Sequence, residues 1–240
     1  RSGSLFIKYW EKVNIRAFKN SQKIFTLRQG MKNELLKYST DSKVDIVPLW
    51  FNNKIVIQVD KSHNLFIQEH SLYNKFIIIY SGNIGYTHNV EVVIDLAKII
   101  NNNKVIFLII GDGAERKQIQ RKCLELNLSN VLFFGYQPLE LLSHSLSAAD
   151  IGIVTLGKDA STLSVPSKLF NMMSLGVPIL GIADKRSELA SIIDNHDLGR
   201  CFQREQINNM AEFIDFLVKN QEEYKRLRNN NLKAAQLYTY

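Results

Sequence analysis

Apolar and polar positions alternate between two patterns along this chain. Residues 76–80 and 105–110 are apolar almost without interruption, which is typical of strands buried on both faces of a parallel sheet. Between such runs, apolar residues recur at spacings of three and four, which is the period of an amphipathic helix. Strands and helices that alternate with short connections predict right-handed crossovers and a doubly wound, parallel α/β sheet.

The boundaries of these elements follow from the ends of each pattern. The predicted strands of this region cover residues 76–80, 105–110, 131–134, 151–156, 177–181 and 199–202. The predicted helices cover residues 89–100, 114–126, 139–149 and 167–175, begin again at 188, and end with 205–219 and 221–238. A polar loop is expected over 157–164.

The first part of the chain carries a shorter version of the same alternation. A helix over 5–20, a strand over 23–27, a helix over 29–38 and a strand over 43–47 are predicted. From 49 to 74 the period is lost and polar residues dominate, which is typical of a connection between domains. We therefore expect a partial α/β domain at 1–48, an interdomain connection at 49–74, a larger α/β domain at 75–205 and closing helices at 206–240.

Composition and charge exclude several classes of protein. With 2 Cys in 240 residues the chain is no disulfide scaffold, and a reduced, cytoplasmic compartment is expected. Residues 1–75 hold 13 basic and 6 acidic side chains, whereas 76–240 hold 17 of each, so the net charge of +7 belongs to the first third. No apolar run approaches the roughly 20 residues of a membrane-spanning helix. Because the sequence starts at Arg1 without a signal-peptide pattern, we expect a fragment of a longer protein.

The basic surplus includes a stripe on the first predicted helix. Its members are Lys8, Lys12, Arg16 and Lys19. Such a stripe suits an anionic surface, such as the inner face of a membrane, and it also suits a helix face that is simply solvated. No nucleic-acid-binding motif accompanies the charge, so nucleic acid is not an expected partner.

Glycines and polar residues collect where the predicted strands end, which is where doubly wound folds bind ligands. Gly82–Gly85 follows the first strand of the larger domain, and either a phosphate-binding loop or a tight turn fits it. Gly111-Asp112-Gly113 has two glycines of a dinucleotide fingerprint, but Arg116 occupies the third position, which disfavours a nicotinamide cofactor. The sequence predicts no cofactor and no metal, because its five histidines are scattered and its cysteines lie far apart.

Lys168 is the most informative charge. It follows Pro166-Ser167 at the start of a predicted helix, where its charge opposes the helix dipole, so an anion such as a diphosphate would explain it. A solvated surface lysine is the alternative. His88 suits either a substrate hydroxyl or phosphate, or an exposed capping role, and Asp150 is expected to be structural.

Several motifs, in this order and spacing, resemble the family 4 glycosyltransferases. More narrowly, they look like the branch that builds capsule, O-antigen and colanic-acid-type polysaccharides. The similarity covers about residues 45–205. The motifs that carry it are the run 76–85, the Thr87-His88 pair, residues 110–113, 130–136 and 148–150, and residues 165–168 with 176–178.

The resemblance implies a GT-B fold, in which two Rossmann-like domains face each other across a cleft. Residues 75–205 would be the nucleotide-sugar donor domain, 1–48 the end of the acceptor domain, and the closing helices would pack near the hinge. The implied donor-binding residues are Gly82, Asn83, Gly85, His88, Gly111, Asp112, Gly113, Gly135, Tyr136, Ser167, Lys168, Leu169 and Asn171. Gly135 and Tyr136 would border the base, as would Gly111–Gly113, and 167–169 would hold the diphosphate.

The chain departs from the family at two positions that usually carry glutamates eight residues apart. Leu163 and Asn171 stand there, and the lysine that often follows Gly85 is also absent. Glu188 is the candidate for a carboxylate on the sugar side. Glu188, Lys168 and His88 are the candidates for catalytic residues.

The implied activity is a retaining sugar transfer from a UDP- or GDP-sugar to a glycan or lipid-linked acceptor, with helix dipoles and cations in place of a metal. This fragment alone is expected to be inactive. An alternative is a non-catalytic chain with a donor-like fold that recruits a partner or a membrane. A GT-B sugar-nucleotide epimerase is a weaker alternative, because its acid and base residues are not found.

Overall fold

A computed structural model describes residues 5–27, 29–47, 55–157 and 166–239. The chain divides into two compact units, Arg1–Trp50 and Phe51–Tyr240. Leu163, one of the two departures from the family pattern, lies outside the described residues.

The first unit contains two helices and two parallel strands. In chain order these are α1 (Leu5–Asn20), β1 (Ile24–Thr26), α2 (Gln29–Leu35) and β2 (Val44–Ile46). Ile24 pairs with Val44 and Thr26 with Ile46, and this confirms the predicted alternation of helix and strand. None of the side chains of α1 is buried within this unit.

The second unit is built on a six-stranded parallel sheet. Its strands are β3 (Phe76–Ser81), β4 (Val105–Ile110), β5 (Val131–Phe134), β6 (Ile151–Thr155), β7 (Ile179–Ile182) and β8 (Gly199–Phe202). Their order across the sheet is β5-β4-β3-β6-β7-β8, with every neighbouring pair parallel. The chain adds β4 and then β5 on one side of β3, and afterwards adds β6, β7 and β8 on its other side. The predicted doubly wound fold is confirmed, and β3 and β6 flank the point where the winding reverses.

Helices connect these strands and cover the faces of the sheet. They are α4 (Glu91–Ile99), α5 (Arg116–Glu125), α6 (Leu139–Ser147), α7 (Lys168–Ser174), α8 (Glu188–His196), α9 (Ile207–Lys219) and α10 (Gln221–Ala235). Ile77, Ile78 and Ile79 are fully buried in β3, so side chains on both of its faces are covered. Burial of an isoleucine contributes roughly 1.5–3 kcal/mol, which explains why the continuous apolar runs become the central strands.

Residues 55–74 belong to the second unit, although the sequence pattern predicts a connection between domains there. They contain a short helix, α3 (Leu65–Glu69), whose first turn is capped by the Asn64 side chain through the amides of Phe66 and Ile67. Asn64 also donates to the carbonyl oxygen of His144 in α6, at 2.8 Å. Five residues are too few to reveal a helical period, so the sequence pattern misses this helix.

The closing helices α9 and α10 are two to three residues shorter than the sequence pattern predicts. Within the second unit, α10 packs against α7, α8 and α9. Their predicted place near an interdomain hinge stays a prediction. No described helix is long and apolar enough to span a membrane.

Candidate functional site

The reversal point of the sheet brings the end of β3 together with the start of α7. Lys168 is the first residue of α7, and its Nζ donates to the Tyr80 hydroxyl at 3.0 Å. The same nitrogen lies 4.1 Å from the centroid of the Tyr80 ring. A Cβ on Gly82 would lie only 3.2 Å from Nζ. The lysine amine therefore lies directly over Gly82, in the crevice where doubly wound folds bind their ligands.

The electrostatic surroundings of Lys168 are unusual for a lysine. Burial lowers the pKa of its amine to about 8. Among the residues that the structure describes, no carboxylate lies within 4.0 Å of Nζ, whereas lysines elsewhere in the unit pair with Asp150, Glu91 and Asp95. A positive charge that is partly desolvated and has no described counter-charge favours an anion in the crevice.

His88 stands beside this amine. Burial lowers the pKa of its imidazole, and the nearby charge of Lys168 lowers it further, so the surroundings favour the neutral ring. Its Nδ1 lies 3.0 Å from the hydroxyl of Thr87. A neutral imidazole next to a bound anion can donate or accept one hydrogen bond without adding charge.

The loop that carries His88 is tied to the end of β6. The hydroxyl of Thr155, which is fully buried, donates to the backbone oxygen of His88. The Gly157 amide donates to the oxygen of Thr87 at 2.8 Å. These bonds anchor the backbone of the loop that carries His88 to the end of β6.

The glycine loops after β3 and β4 touch each other. A Cβ on Gly111, where φ is +139°, would fall 1.9 Å from the oxygen of Gly82, and one on Gly113 would fall 2.3 Å from the oxygen of Ile84. The Ile84 amide donates to the oxygen of Asp112 at 2.8 Å. Only glycine permits this approach, so the structure brings together the two loops that the sequence singles out.

Arg116 occupies the place of the third glycine in the dinucleotide fingerprint. Its guanidinium donates to the oxygen of Gly111 at 2.8 Å and lies 4.0 Å from a Cβ built on Gly135. The Tyr136 hydroxyl donates weakly to the oxygen of Asp112, at 3.4 Å, and the side chain is 62% exposed. Gly135 and Tyr136 therefore border the same loops, with an aromatic face available for stacking.

The start of α7 places the other predicted residues of this segment in different surroundings, and their predicted roles stay predictions. Leu169 is fully buried, and its amide donates to the oxygen of Pro166 at 3.0 Å. Ser167 is exposed, but it makes no side-chain cap bond to the helix. Asn171 lies in the first turn of α7, where its backbone oxygen accepts from Ser174. Lys168 is thus the residue of this segment whose described contacts point to a ligand.

Glu188 lies in the first turn of α8, after the cap formed by Ser187. Burial raises the pKa of the Tyr238 phenol, and the charge of Glu188 raises it further. The described contacts of Glu188 do not include Lys168, Tyr80 or His88. Its predicted role on the sugar side stays a prediction.

A cavity of about 520 Å³ opens beside the His88 loop at the carboxyl ends of β6, β7 and β8. Aromatic and polar side chains border it, among them Tyr86, Asn89, Asp184 and Gln203. Among the described residues, no group of three or more His, Cys, Asp or Glu side chains is placed to hold a metal ion.

Three features of the candidate site are not assigned to it by the sequence pattern. Tyr80 is part of the apolar run of β3, so nothing in the pattern separates it from a core residue. Thr155 ends β6 in the same way. Arg116 stands out in the sequence only as a departure from a motif, although its position at the start of α5 signals a cation near the strand ends.

Comparison with known proteins identifies the family. Residues 63–234 match the profile described as "Glycosyl transferases group 1", which covers well over half of the chain. The chain belongs to the group 1 glycosyltransferases.

Individual relatives agree with this assignment. The chain is 31% identical over 150 residues to WbjE of Pseudomonas aeruginosa, named as a probable glycosyltransferase, covering 62% of this chain and 38% of that protein. It is 29% identical over 142 residues to WcaI of Escherichia coli K12, named for colanic acid biosynthesis, covering 59% of this chain and 35% of that protein. The chain therefore spans little more than a third of each of these glycosyltransferases.

Solved structures show the same fold. The Anabaena protein HepE in complex with UDP superimposes with a TM-score of 0.80 at 13% identity, over 96% of this chain and 65% of HepE. At that identity the likeness shows the fold alone, a Rossmann-like parallel α/β sheet of the kind found in GT-B glycosyltransferases.

Proposed function

We propose that this chain is the donor-binding part of a retaining glycosyltransferase that uses a UDP- or GDP-sugar. The observation that carries the proposal is the Lys168 amine, which lies over Gly82 at the reversal point of the sheet without a described counter-charge. A diphosphate bound there supplies the missing negative charge. Family membership and the solved complex of HepE with UDP support the same ligand class.

The donor has a definite orientation in this proposal. Its diphosphate lies between Lys168 and the Gly82–Gly85 loop, with Asn83 at the phosphates and His88 at a phosphate or a sugar hydroxyl. Its base lies against Gly111, Asp112, Gly113, Gly135 and Tyr136. The side chain of Tyr136 is exposed enough to stack on a nucleobase.

The chemical role of Lys168 follows from charge development. In sugar transfer, the bond between the anomeric carbon and the diphosphate oxygen breaks, and the diphosphate leaves with an additional negative charge. A preoriented ammonium stabilises the negative charge on that oxygen more strongly in a partly desolvated crevice than in water. The acceptor hydroxyl oxygen forms the new glycosidic bond to the anomeric carbon, and its proton passes to the leaving diphosphate oxygen. His88 and Glu188 remain candidates for catalytic residues in the sugar half of this step.

The binding proposal is tested by calorimetric titration of the protein with UDP and with GDP. We expect one of the two nucleotides to bind, and Lys168→Met to weaken it by about 10- to 100-fold, the usual loss for a charge-assisted contact. Lys61→Met is the matched control, because Lys61 pairs with Asp150 at the other end of the strands. Failure of both nucleotides to bind, or equal affinity for the wild type and Lys168→Met, would contradict the proposal.

The acceptor is proposed to be a glycan or a lipid-linked sugar in surface polysaccharide synthesis. The name of WcaI refers to colanic acid, which is a product of that class. Helix α1 would bring the protein to the membrane that carries such a lipid. Its basic residues Lys8, Lys12, Arg16 and Lys19 accompany exposed apolar side chains, among them Leu5 at 86% and Phe6 at 70% exposure.

Co-sedimentation with vesicles tests this membrane contact. Vesicles with about 30% anionic lipid should retain the wild type, and reversal of the four charges to Glu should release it, since each cation near an anionic surface contributes about 1 kcal/mol. Neutral vesicles are the control. Equal retention of the charge-reversed variant would argue against the contact.

A further inference from the structure

The Tyr80 phenol is a buried polar group that takes no part in the donor contacts proposed above. Its side chain is fully buried near the end of β3. The neighbouring strand β4 ends in an aliphatic residue, Ile110, whose side chain makes no directional contact. A tyrosine here places one hydroxyl between the glycine loop and α7.

The hydrogen bonds of this hydroxyl define its role. It donates to the backbone oxygen of Asn83 at 2.6 Å. A phenol has one proton to donate, so its remaining contact, 3.0 Å from the Lys168 Nζ, must accept a proton from the amine. The Tyr80 ring also faces the ammonium at 4.1 Å, a distance at which a cation is attracted to an aromatic face.

The charges around the pair leave the ammonium available to a ligand. Burial raises the pKa of the Tyr80 phenol well above its usual range, with smaller contributions from Tyr136 and Glu115. The phenol therefore stays neutral and orients the ammonium without neutralising it. Lys168 has three donors, of which Tyr80 takes one. His88 is the other titratable group that faces Lys168 among the described residues.

We propose that Tyr80 is a positioning residue for the nucleotide diphosphate, because it holds the Lys168 ammonium over Gly82 and fixes the Asn83 carbonyl at the same time. The inference rests on the proposed function. It adds that one hydroxyl sets both the position of the cation and the shape of the glycine loop. Tyr80 acts through Lys168 and the loop, and it does not contact the reacting atoms.

Tyr80→Phe isolates the hydroxyl, because the ring and its contact with the ammonium remain. We expect UDP affinity at pH 7 to fall by about tenfold, the effect of one hydrogen bond to a charged group. We also expect the pH at which affinity begins to fall to move down by roughly half a unit to one unit, because the hydroxyl stabilises the charged amine. A role in packing alone would leave that pH unchanged.

Tyr224→Phe is the matched control. Tyr224 is also a largely buried phenol, bonded to a charged group, Asp150, at 3.0 Å. Loss of its hydroxyl should cost similar stability but leave UDP affinity and its pH dependence as in the wild type. Thermal unfolding of both variants shows whether the folded fraction is comparable.

A double-mutant cycle completes the test. In the Lys168→Met background, Tyr80→Phe should reduce UDP affinity by less than about threefold, because the partner of the hydroxyl is gone. Wild-type affinity and pH dependence in Tyr80→Phe, or an undiminished loss in the Lys168→Met background, would overturn the inference while the proposed function stands. Absence of UDP and GDP binding in the wild type would overturn both. The amine pKa of Lys168, measured by NMR without nucleotide, should fall in Tyr80→Phe, and an unchanged value would refute the coupling independently of ligand binding.

Discussion

Two partly buried clusters at opposite ends of β3 each combine a lysine with a tyrosine, but only one contains a carboxylate among the described residues. At the amino end, Asp150 accepts from Lys61 at 2.6 and 2.7 Å, from the Tyr224 hydroxyl at 3.0 Å and from the Ile77 amide at 2.8 Å. At the carboxyl end, the described partner of Lys168 is the neutral phenol of Tyr80.

This difference separates structure from function. The Asp150 cluster is complete: each carboxylate oxygen accepts two hydrogen bonds, and the charge of Lys61 is balanced. Such a cluster ties the sheet to α10 and needs no ligand. The Lys168 cluster keeps an unbalanced positive charge in a crevice, which costs stability in the free protein. Such a loss of stability in the free protein is expected at a binding site, where a ligand supplies the missing negative charge.

Asp150→Ala should give the largest change in stability. It removes the acceptor for the Ile77 amide and the Tyr224 hydroxyl, so we expect the free energy of unfolding to fall by about 3 kcal/mol. Urea unfolding measures this. Asp150→Asn, which retains the shape, should lose less. UDP affinity of the folded protein should be unchanged, and a large loss of affinity would break the separation between the two clusters.

Substitution of each lysine by methionine should change stability in opposite directions. Lys61→Met removes the counter-charge of a buried carboxylate, and because Lys61 is 42% exposed we expect a loss of only about 1 kcal/mol. Lys168→Met removes an uncompensated charge and should leave the free energy of unfolding equal or higher at pH 7. Urea unfolding of both variants at pH 7 measures the two changes, and a loss of stability in Lys168→Met as large as in Lys61→Met would contradict the contrast.

The pH dependence of unfolding, compared between the wild type and Lys168→Met, tests independently whether Lys168 destabilises the folded protein. The folded pKa of Lys168, about 8, lies below the value of 10.5 expected in the unfolded chain. Between these values the unfolded state binds more protons, so wild-type stability should rise with pH relative to Lys168→Met, by about 3 kcal/mol in total. Below pH 8 the cost is fully present. Urea unfolding at pH 7 and 10 tests this, and a constant difference between the two proteins would contradict a depressed pKa.

Thr155→Val should give the smallest changes in stability and in nucleotide affinity. It leaves the backbone oxygen of His88 without the donor that ties its loop to β6. We expect about 1 kcal/mol of lost stability and a few-fold loss in UDP affinity. Ser145→Ala is the control, because that buried serine donates to Leu142 within α6, away from the crevice. Equal loss of UDP affinity in both variants would show that the effect is not local.

The sequence predicts the sheet well because burial on both faces requires unbroken apolar runs. The bounds of β4, β5 and β8 agree with prediction to the residue, and the meeting of the Gly82 and Gly111 loops follows from parallel strands. Lys168 can be singled out from the sequence because its charge opposes a helix dipole.

Other features depend on contacts that no local pattern encodes. Tyr80 is indistinguishable from its apolar neighbours until Lys168 is seen 3.0 Å away. The helix α3 depends on the Asn64 cap and on packing against α6, residues about 80 positions later in the chain. The family resemblance assigns Leu169 to the diphosphate; its side chain lies in the core, and the assignment stays a prediction.

The central claim is that the protonated amine of Lys168 binds the diphosphate. It is tested most directly by the affinity for UDP or GDP, whichever of the two binds, measured at pH 7.0 and 9.0. With a pKa of about 8, the wild type should lose about tenfold in affinity between these values. Lys168→Met should bind weakly at both, and it reports any contribution from titration of the base. Equal pH dependence in the two proteins, or strong binding by Lys168→Met, would contradict the claim.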